Sequence, residues 1–296
     1  MEQNRKNSPE TGCVRCDLHT HSVFSDGTYT PAQLVEQAKR LGLIIALTDH
    51  NTVAGLPEFT QAARELGVTA VPGVEISTEH NGHELHLLGL FVLPEHYAVI
   101  ERIVKEQHVL KEISNMELVE RLNQAGFFID YMKVKRRNPN GNANRAHIAA
   151  ELLEQGYVAS VREAFDTLLS DDGGFYVPPS RLQLTDVIKE LRRIGVLPVL
   201  AHPLQELTQA ELRQLLPDAI GAGLIGMETM HSSYTPDTIG LAQKIAQEYR
   251  LLPSGGSDFH GAVKPDIFLG VGTGHNRISE NAYRDLAAAW EVQLRK

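Results

Sequence analysis

The stretch at residues 14–48, VRCDLHTHSVFSDGTYTPAQLVEQAKRLGLIIALT, decides the fold class. Residues 14–21 read as a strand and its exit, and the chain then crosses a polar connection to Thr30-Pro31. From there Leu34, Val35, Ala38 and Leu41 recur at helical spacing and share one face. Thr30 and Gln33 form a capping-box pattern, and Gly42 supplies the stop. Residues 43–48, LIIALT, are the next strand. Strand, helix, strand is the grammar of an α/β protein.

Working outward, apolar runs recur at residues 68–71, 74–76, 85–91, 196–201, 224–227 and 251–252, the last with a Pro-Ser-Gly-Gly exit. Helices between them open at Thr208 (TQAE) and Thr235 (TPDT), each a good N-cap. The alternation predicts a barrel-like parallel sheet. Between about residues 94 and 184 it stops, and the sequence turns helical and charged. A long helix is expected over 98–125, a turn at Asn138-Pro139-Asn140-Gly141, and helices over 146–154 and 161–169. The expected organisation is a hydrolase barrel from 12–97 and 185–296, carrying a small, mostly helical insertion at 98–184.

At 296 residues the chain can bury a sizeable core without disulfides or other staples, and 42% hydrophobic with 22% charged residues is ordinary globular composition. A net charge of -9 argues against broad polyanion binding, which needs a basic stripe. A small anionic substrate stays compatible if bound metals and a few local cations receive it. Cys13 and Cys16 lack the second ligand pair of a zinc site and the helix start of a thioredoxin-like motif, so they read as reduced thiols. The first eleven residues are polar, and no run approaches the ~20 apolar residues of a membrane span. A cytoplasmic protein without membrane association or an obligate protein partner is expected.

The histidines and acids fall in a pattern. His19 and His21 leave the first strand, Asp49 and His50 end the second, Glu75 follows the 68–71 run, and His86 lies in the next. His202 ends the 196–201 run, and Asp258 and His260 follow the last. In a parallel sheet those strand ends gather on one face, so residues remote in sequence converge. His19 and His21, two apart on extended chain, point the same way and can reach one metal. One buried histidine is ordinarily a core residue, but six at strand ends point to a metal site. Imidazole and carboxylate donors without thiolate suit Zn, Mn, Fe or Ni and argue against a purely structural zinc site. Such ions lower the pKa of bound water and clamp phosphoryl oxygens, so hydrolysis is the natural reaction.

DLHTHSVFSDG (17–27), ALTDHNT (46–52), PGVEIS (72–77), HLLG (86–89), LAHP (200–203) and GGSDFHG (255–261) together resemble the PHP (polymerase and histidinol phosphatase) family of phosphoesterases. The resemblance implies a distorted (β/α)7 barrel with two to three divalent ions, manganese, iron or zinc. It carries the ligand role onto His19, His21, Asp26, His50, Glu75, His86, His202, Asp258 and His260. In that pattern His19, His21, Glu75 and Asp258 share one ion, Glu75 bridges to a second held by His86 and His202, and Asp26, His50 and His260 hold the third. Asp26 stands where some members place histidine. Asp49 suits a partner that orients an imidazole or the nucleophilic water, and His202 or His260 suits assistance to the leaving oxygen.

Within the insertion, NRAHIAAELLEQGYV from Asn144 and FYVP at 175–178 look like the small domain of stand-alone PHP phosphoesterases acting on nucleotides, a subgroup that includes 3',5'-nucleotide bisphosphatase and a 5'-to-3' exoribonuclease. Arg145 suits bidentate grip of a phosphate. His147 and Lys264 are secondary candidates, Tyr176 suits a base or sugar pocket, and His231 suits a phosphate contact. His231 sits in METMHSSYTPD, which departs from the tyrosine-containing loop of that subgroup. His80, His83, His96, His108 and His275 are expected at the surface. The expected reaction is hydrolysis of phosphomonoesters of small nucleotides, such as 3',5'-bisphosphonucleotides or nucleoside monophosphates, or of short oligoribonucleotides, by metal-bound hydroxide. Two alternatives stay open at this point: C–N hydrolysis of the amidohydrolase type, and a non-catalytic PHP binding module.

Overall fold

The computed structural model describes residues 15–138, 143–170, 174–176, 178, 181–274 and 277–295, and for residues 106–108 the backbone alone. Strands β1 (Arg15–Asp17), β2 (Leu43–Leu47) and β3 (Ala70–His80) lie side by side and parallel. β4 (His83–Leu90) returns antiparallel to β3, and the two-residue β5 (Leu182–Gln183) pairs with β3 off the main path. β6 (Leu197–Leu200) is antiparallel to β4, and β7 (Gly226–Met230) and β8 (Leu252–Gly255) follow parallel. The sheet is therefore mixed, where the apolar runs suggested a parallel one. The physical cause is a tight turn after residue 80. The runs at 68–71 and 74–76 are one strand, and Asn81-Gly82 closes it into a hairpin with both residues at positive φ, 52° and 84°. That is the Asn-Gly signature of a two-residue turn whose twist matches the flanking strands.

Past their ends, β1 and β8 are joined by backbone hydrogen bonds. Leu18 N donates to Gly255 O at 3.1 Å, Asp258 N to His19 O at 2.9 Å, and His21 N to Phe259 O at 2.9 Å.

Side chains alternate between two apolar clusters, as a period of two requires. Leu43, Ile45 and Leu47 of β2 face one way, toward α1 (Pro31–Leu41), α2 (Leu56–Leu66), α7 (Leu184–Arg193), α8 (Gln209–Ala222) and α9 (Pro236–Tyr249). Ile44 and Ala46 face the other, where Ala282 and Leu286 of α10 (Glu280–Leu294) close the cluster. Leu286 is fully buried, which contributes about 1.5–3 kcal/mol relative to an exposed leucine. The expected caps are present: Thr30 accepts from Gln33 N, Thr208 from Glu211 N, and Gly42 ends α1 at φ 63°.

Between β4 and β5 lie α3 (Tyr97–Gln124), α4 (Tyr131–Arg136), α5 (Arg145–Glu154) and α6 (Val161–Thr167). α4 and α10 were not anticipated. Ile100 and Val104, early in α3, belong to the main core, whereas Leu118, Val119 and Leu122, near its end, join a third cluster with Ile148, Leu152 and Ala164. The apolar face thus changes partner along one 28-residue helix of about 42 Å.

Cys16 is buried, donates to Ser279 O, and burial pushes its thiol up to about 12, so it is inert. Cys13 lies outside the described residues, as does His275, and the side chain of His108 is not described. His96 is buried rather than at the surface, because its Nδ1 accepts from Leu93 N at the start of a short turn. Among the described residues no helix is long and apolar enough to cross a membrane.

Candidate metal centre

The strand ends deliver what their residue types suggested, with one change of logic. His86 is not at a strand's C-terminal end: β4 runs backward, so its N-terminal half lies beside the ends of the others. His19 and His21 leave β1, Glu75 lies within β3 opposite Leu88, and His202 follows β6. Gly256 lets β8's exit approach, since a Cβ there would stand 2.3 Å from His19 Cβ. Asn51, His202 and Asp258 hold positive φ values of 51°, 27° and 54°. Such conformations cost of order 1–3 kcal/mol each and cluster at functional sites.

Glu75 is the hub. Its Oε2 lies 3.1 Å from His19 Nε2, 3.2 Å from His21 Nε2 and 3.1 Å from His50 Nδ1. Its Oε1 lies 2.8 Å from His86 Nδ1 and 3.2 Å from His202 Nε2. Asp258 Oδ1 is 3.2 Å from His21 Nε2 and 3.7 Å from His19 Nε2. Asp26 Oδ1 is 3.2 Å from His260 Nε2, and its Oδ2 is 3.8 Å from His50 Nε2. Burial alone would raise the Glu75 carboxyl, but His50, His19 and His86 hold it well below the usual carboxylate range. Asp26 is held down against its own burial by His260 and His50, and Asp258 by Lys264 and His260.

His19 Nε2, His21 Nε2, His86 Nδ1, Asp26 Oδ1 and Glu75 Oε2 are buried and make no well-directed hydrogen bond. Buried polar atoms without partners are rare, and here they converge. Three donor groups are close enough for one ion each: His19, His21 and Glu75; His50, Glu75 and His86; and His21, Asp26, His50 and His260. The residues fit several divalent ions. His50 stands between Glu75 and Asp26, and His202 and Asp258 border the groups rather than complete one of them.

Further contacts support the cluster from behind. Glu228 takes His19 Nδ1 at 3.0 Å and His202 N at 2.8 Å, which leaves His19 Nε2 facing the cluster. Its only sequence signal is a lone carboxylate inside an apolar strand. Asp17 accepts from Ser257 N, Ser257 Oγ and Gly270 N, anchoring the loop that bears Asp258. Asp49 accepts from Ser22 N, Ser22 Oγ and Ser25 Oγ at 2.6–2.7 Å, so its carboxylate braces the loop between His21 and Asp26. Its link to an imidazole runs through Ser25, whose Oγ is 3.4 Å from His21 Nδ1.

Of the substrate candidates, Arg145 and Tyr176 line one pocket with Asp26, His50, His86 and Lys111. The Arg145 guanidinium carbon sits 4.1 Å from the Tyr176 ring centre, within cation–π range. His147 instead works as a cap, its Nδ1 accepting from Asn144 N and its N donating to Asn144 Oδ1. His231 Nε2 is 3.4 Å from Asp258 Oδ2 and its Nδ1 is 2.8 Å from Ser233 Oγ. Lys264 Nζ is 2.6 Å from Asp258 Oδ2. Lys111 and Arg181, which no spacing marks in the sequence, add two cations to the pocket wall. Burial lowers the Lys111 ammonium from its ordinary range. Asn144 Nδ2 donates to Asp26 Oδ2 at 2.9 Å, so the helical segment touches the ligand cluster directly.

Comparison with known proteins gives a consistent picture. The model of the PHP domain matches residues 17–169. A 5'-3' exoribonuclease of Haemophilus influenzae is 33% identical over 82% of this chain and 89% of its own. A phosphoribosyl 1,2-cyclic phosphate 1,2-diphosphodiesterase of Eggerthella lenta is 32% identical over 83% and 94%. A 3',5'-nucleoside bisphosphate phosphatase of Chromobacterium violaceum is 30% identical over 82% and 86%. A crystal structure from Bifidobacterium adolescentis, of a protein with inferred metal-dependent phosphoesterase function, superposes with a TM-score of 0.83 at 30% identity, covering 94% of this chain and 97% of that one. With the donor cluster gathered on the fold that these relatives share, the chain belongs to the PHP family and is a metal-dependent phosphoesterase.

Proposed function

We propose that the protein hydrolyses phosphomonoesters of small nucleotides, such as 3',5'-bisphosphonucleotides or nucleoside monophosphates, or short oligoribonucleotides. The observation that carries this reading is the pocket in which Lys111, Arg145 and Arg181 stand with Phe165 and Tyr176 directly beside Asp26, His50 and His86. Guanidinium and ammonium groups suit phosphate, and aromatic faces suit a base or sugar. The exoribonuclease and bisphosphate phosphatase among the relatives support a nucleotide substrate. The cyclic phosphate diphosphodiesterase fits the same phosphoester chemistry without the base.

His19, His21, Asp26, His50, Glu75, His86, His202, Asp258 and His260 would hold two or three divalent ions, manganese, iron or zinc. When bound there, such ions polarise a phosphoryl oxygen and lower the pKa of coordinated water. The chain's own groups do the rest. Arg145, with Lys111 and Arg181, receives the phosphate, and Tyr176 flanks the nucleoside. His202 or His260 assists the departing oxygen, which takes its proton from water, while Glu228 holds His19 and Asp49 holds the Ser22–Ser25 turn so that donors keep their places. Lys264 and His231, both against Asp258, are further candidate phosphate contacts. We read the joined exits of β1 and β8 as the seam of a distorted (β/α)7 barrel, with residues 98–184 as its substrate-capping insertion.

The test is a phosphate-release screen over adenosine 3',5'-bisphosphate, nucleoside monophosphates, short RNAs and histidinol phosphate, beside an amide panel and metal analysis. Nucleotide phosphate release with bound divalent metal is expected. Protein that carries no such metal and stays inactive after addition of Mn, Fe or Zn refutes the reading.

A further inference from the structure

Glu84 has no part in the chemistry described so far, yet it touches both halves of the site. Two residues before His86 on β4, it projects from the same face of the strand. Its Oε1 is 3.6 Å from His86 Nε2, on the far side of a ring whose Nδ1 is 2.8 Å from Glu75. Its Oε2 is 2.5 Å from Arg181 Nη2 and 3.5 Å from Arg145 Nη2. The Arg181 side chain is only 9% exposed, and a guanidinium so far removed from water needs a carboxylate beside it. One carboxylate thus faces an imidazole of the ligand cluster with one oxygen and two pocket cations with the other.

We infer that Glu84 is a positioning residue that couples the metal centre to the anion pocket, steadying His86 through Nε2 while serving as the resident counter-ion that an incoming phosphate displaces from Arg145 and Arg181. A carboxylate behind a ligating histidine sets its tautomer and orientation, here the one with Nδ1 open toward Glu75. The same carboxylate competes with phosphate for the guanidiniums. The two tasks give opposite signs when the charge is removed, a signature that a purely structural residue does not produce.

This inference rests on the proposed metal-and-phosphate reading of the site. The experiment compares wild type with Glu84→Gln in two titrations: Mn²⁺ into the apoprotein, and inorganic phosphate into the metal-stripped protein, both by calorimetry. Glu84→Gln is expected to weaken Mn²⁺ binding about 10–100-fold and to tighten phosphate binding about tenfold. Glu84→Asp keeps the charge on a shorter arm and is expected to weaken Mn²⁺ binding while leaving phosphate affinity near wild type. Unchanged Mn²⁺ affinity in Glu84→Gln, or phosphate affinity equal to or below wild type, overturns the inference. If Glu84→Gln does not fold, unchanged Mn²⁺ affinity in Glu84→Asp overturns it instead. Where Mn²⁺ does not bind, the same titration is made with Fe²⁺ or Zn²⁺, and wild type that binds none of the three defeats the functional reading itself, an outcome distinct from either.

Discussion

The ligand cluster and the cationic pocket share Asp26, His50 and His86 at their border, but they are assembled from different material. The cluster comes from strand ends, with buried carboxylates whose charge is fixed by facing imidazoles and with further carboxylates, Glu228 and Asp17, bracing His19 and the loop that bears Asp258. The pocket comes largely from helices and connections of a segment with its own apolar core, and of its cations Arg145 is partly open to water. One region is built to hold charge in place, the other to receive it. The comparison predicts that damage to the cluster removes the reaction, whereas damage to the pocket changes what is bound.

The largest effect is expected at the hub. Glu75→Ala deletes the group facing five imidazoles and should lower kcat/KM for phosphate release by about 10³-fold or more, with bound metal per chain falling in parallel by elemental analysis. Retained activity in this variant would dissolve the distinction between the two regions. A smaller and differently shaped effect is expected from Arg145→Ala. Loss of a charge-assisted contact of roughly 1.5–3 kcal/mol should raise KM about 10–100-fold. Steady-state kinetics should find kcat within about threefold, and a large fall in kcat at constant KM would move Arg145 into the chemical machinery. The smallest effect is expected where the regions touch. Asn144 both caps α5 and donates to Asp26. Asn144→Ala should cost about 0.5–2 kcal/mol, read as a lowered midpoint in thermal unfolding. A midpoint equal to wild type would argue that the two regions are mechanically independent.

The same contrast explains what could be read from sequence. Histidines at the ends of apolar runs are conspicuous because strands rarely carry them, so His19, His21, His50, His86 and His202 stood out by type and place. Thr30, Thr208 and Gly42 announced helix ends through chemistry local to a few residues. The direction of β4 is equally local, written in Asn81-Gly82, but an apolar run alone carries no direction, and the strand–helix alternation around it points to a parallel one. Glu84, Lys111, Arg181 and Glu228 were not legible for a different reason. A lysine on a charged helix or a glutamate beside a histidine has no periodic signature, and only the fold brings residues 84, 145 and 181 together. His147 shows the converse, since its residue type suggested a ligand contact while its position at the third residue of α5 assigned it to a cap.

The third apolar cluster, separate from the two that clamp the sheet, has a consequence for how such a protein changes over generations. Residues inside it answer mainly to one another, so the helices that shape the pocket can drift, swap side chains or alter their turns without disturbing the geometry that makes phosphoester cleavage feasible. Innovation in what is recognised is therefore cheap, and innovation in the bond that is broken is expensive. A lineage built this way is expected to diversify its diet long before it changes its trade.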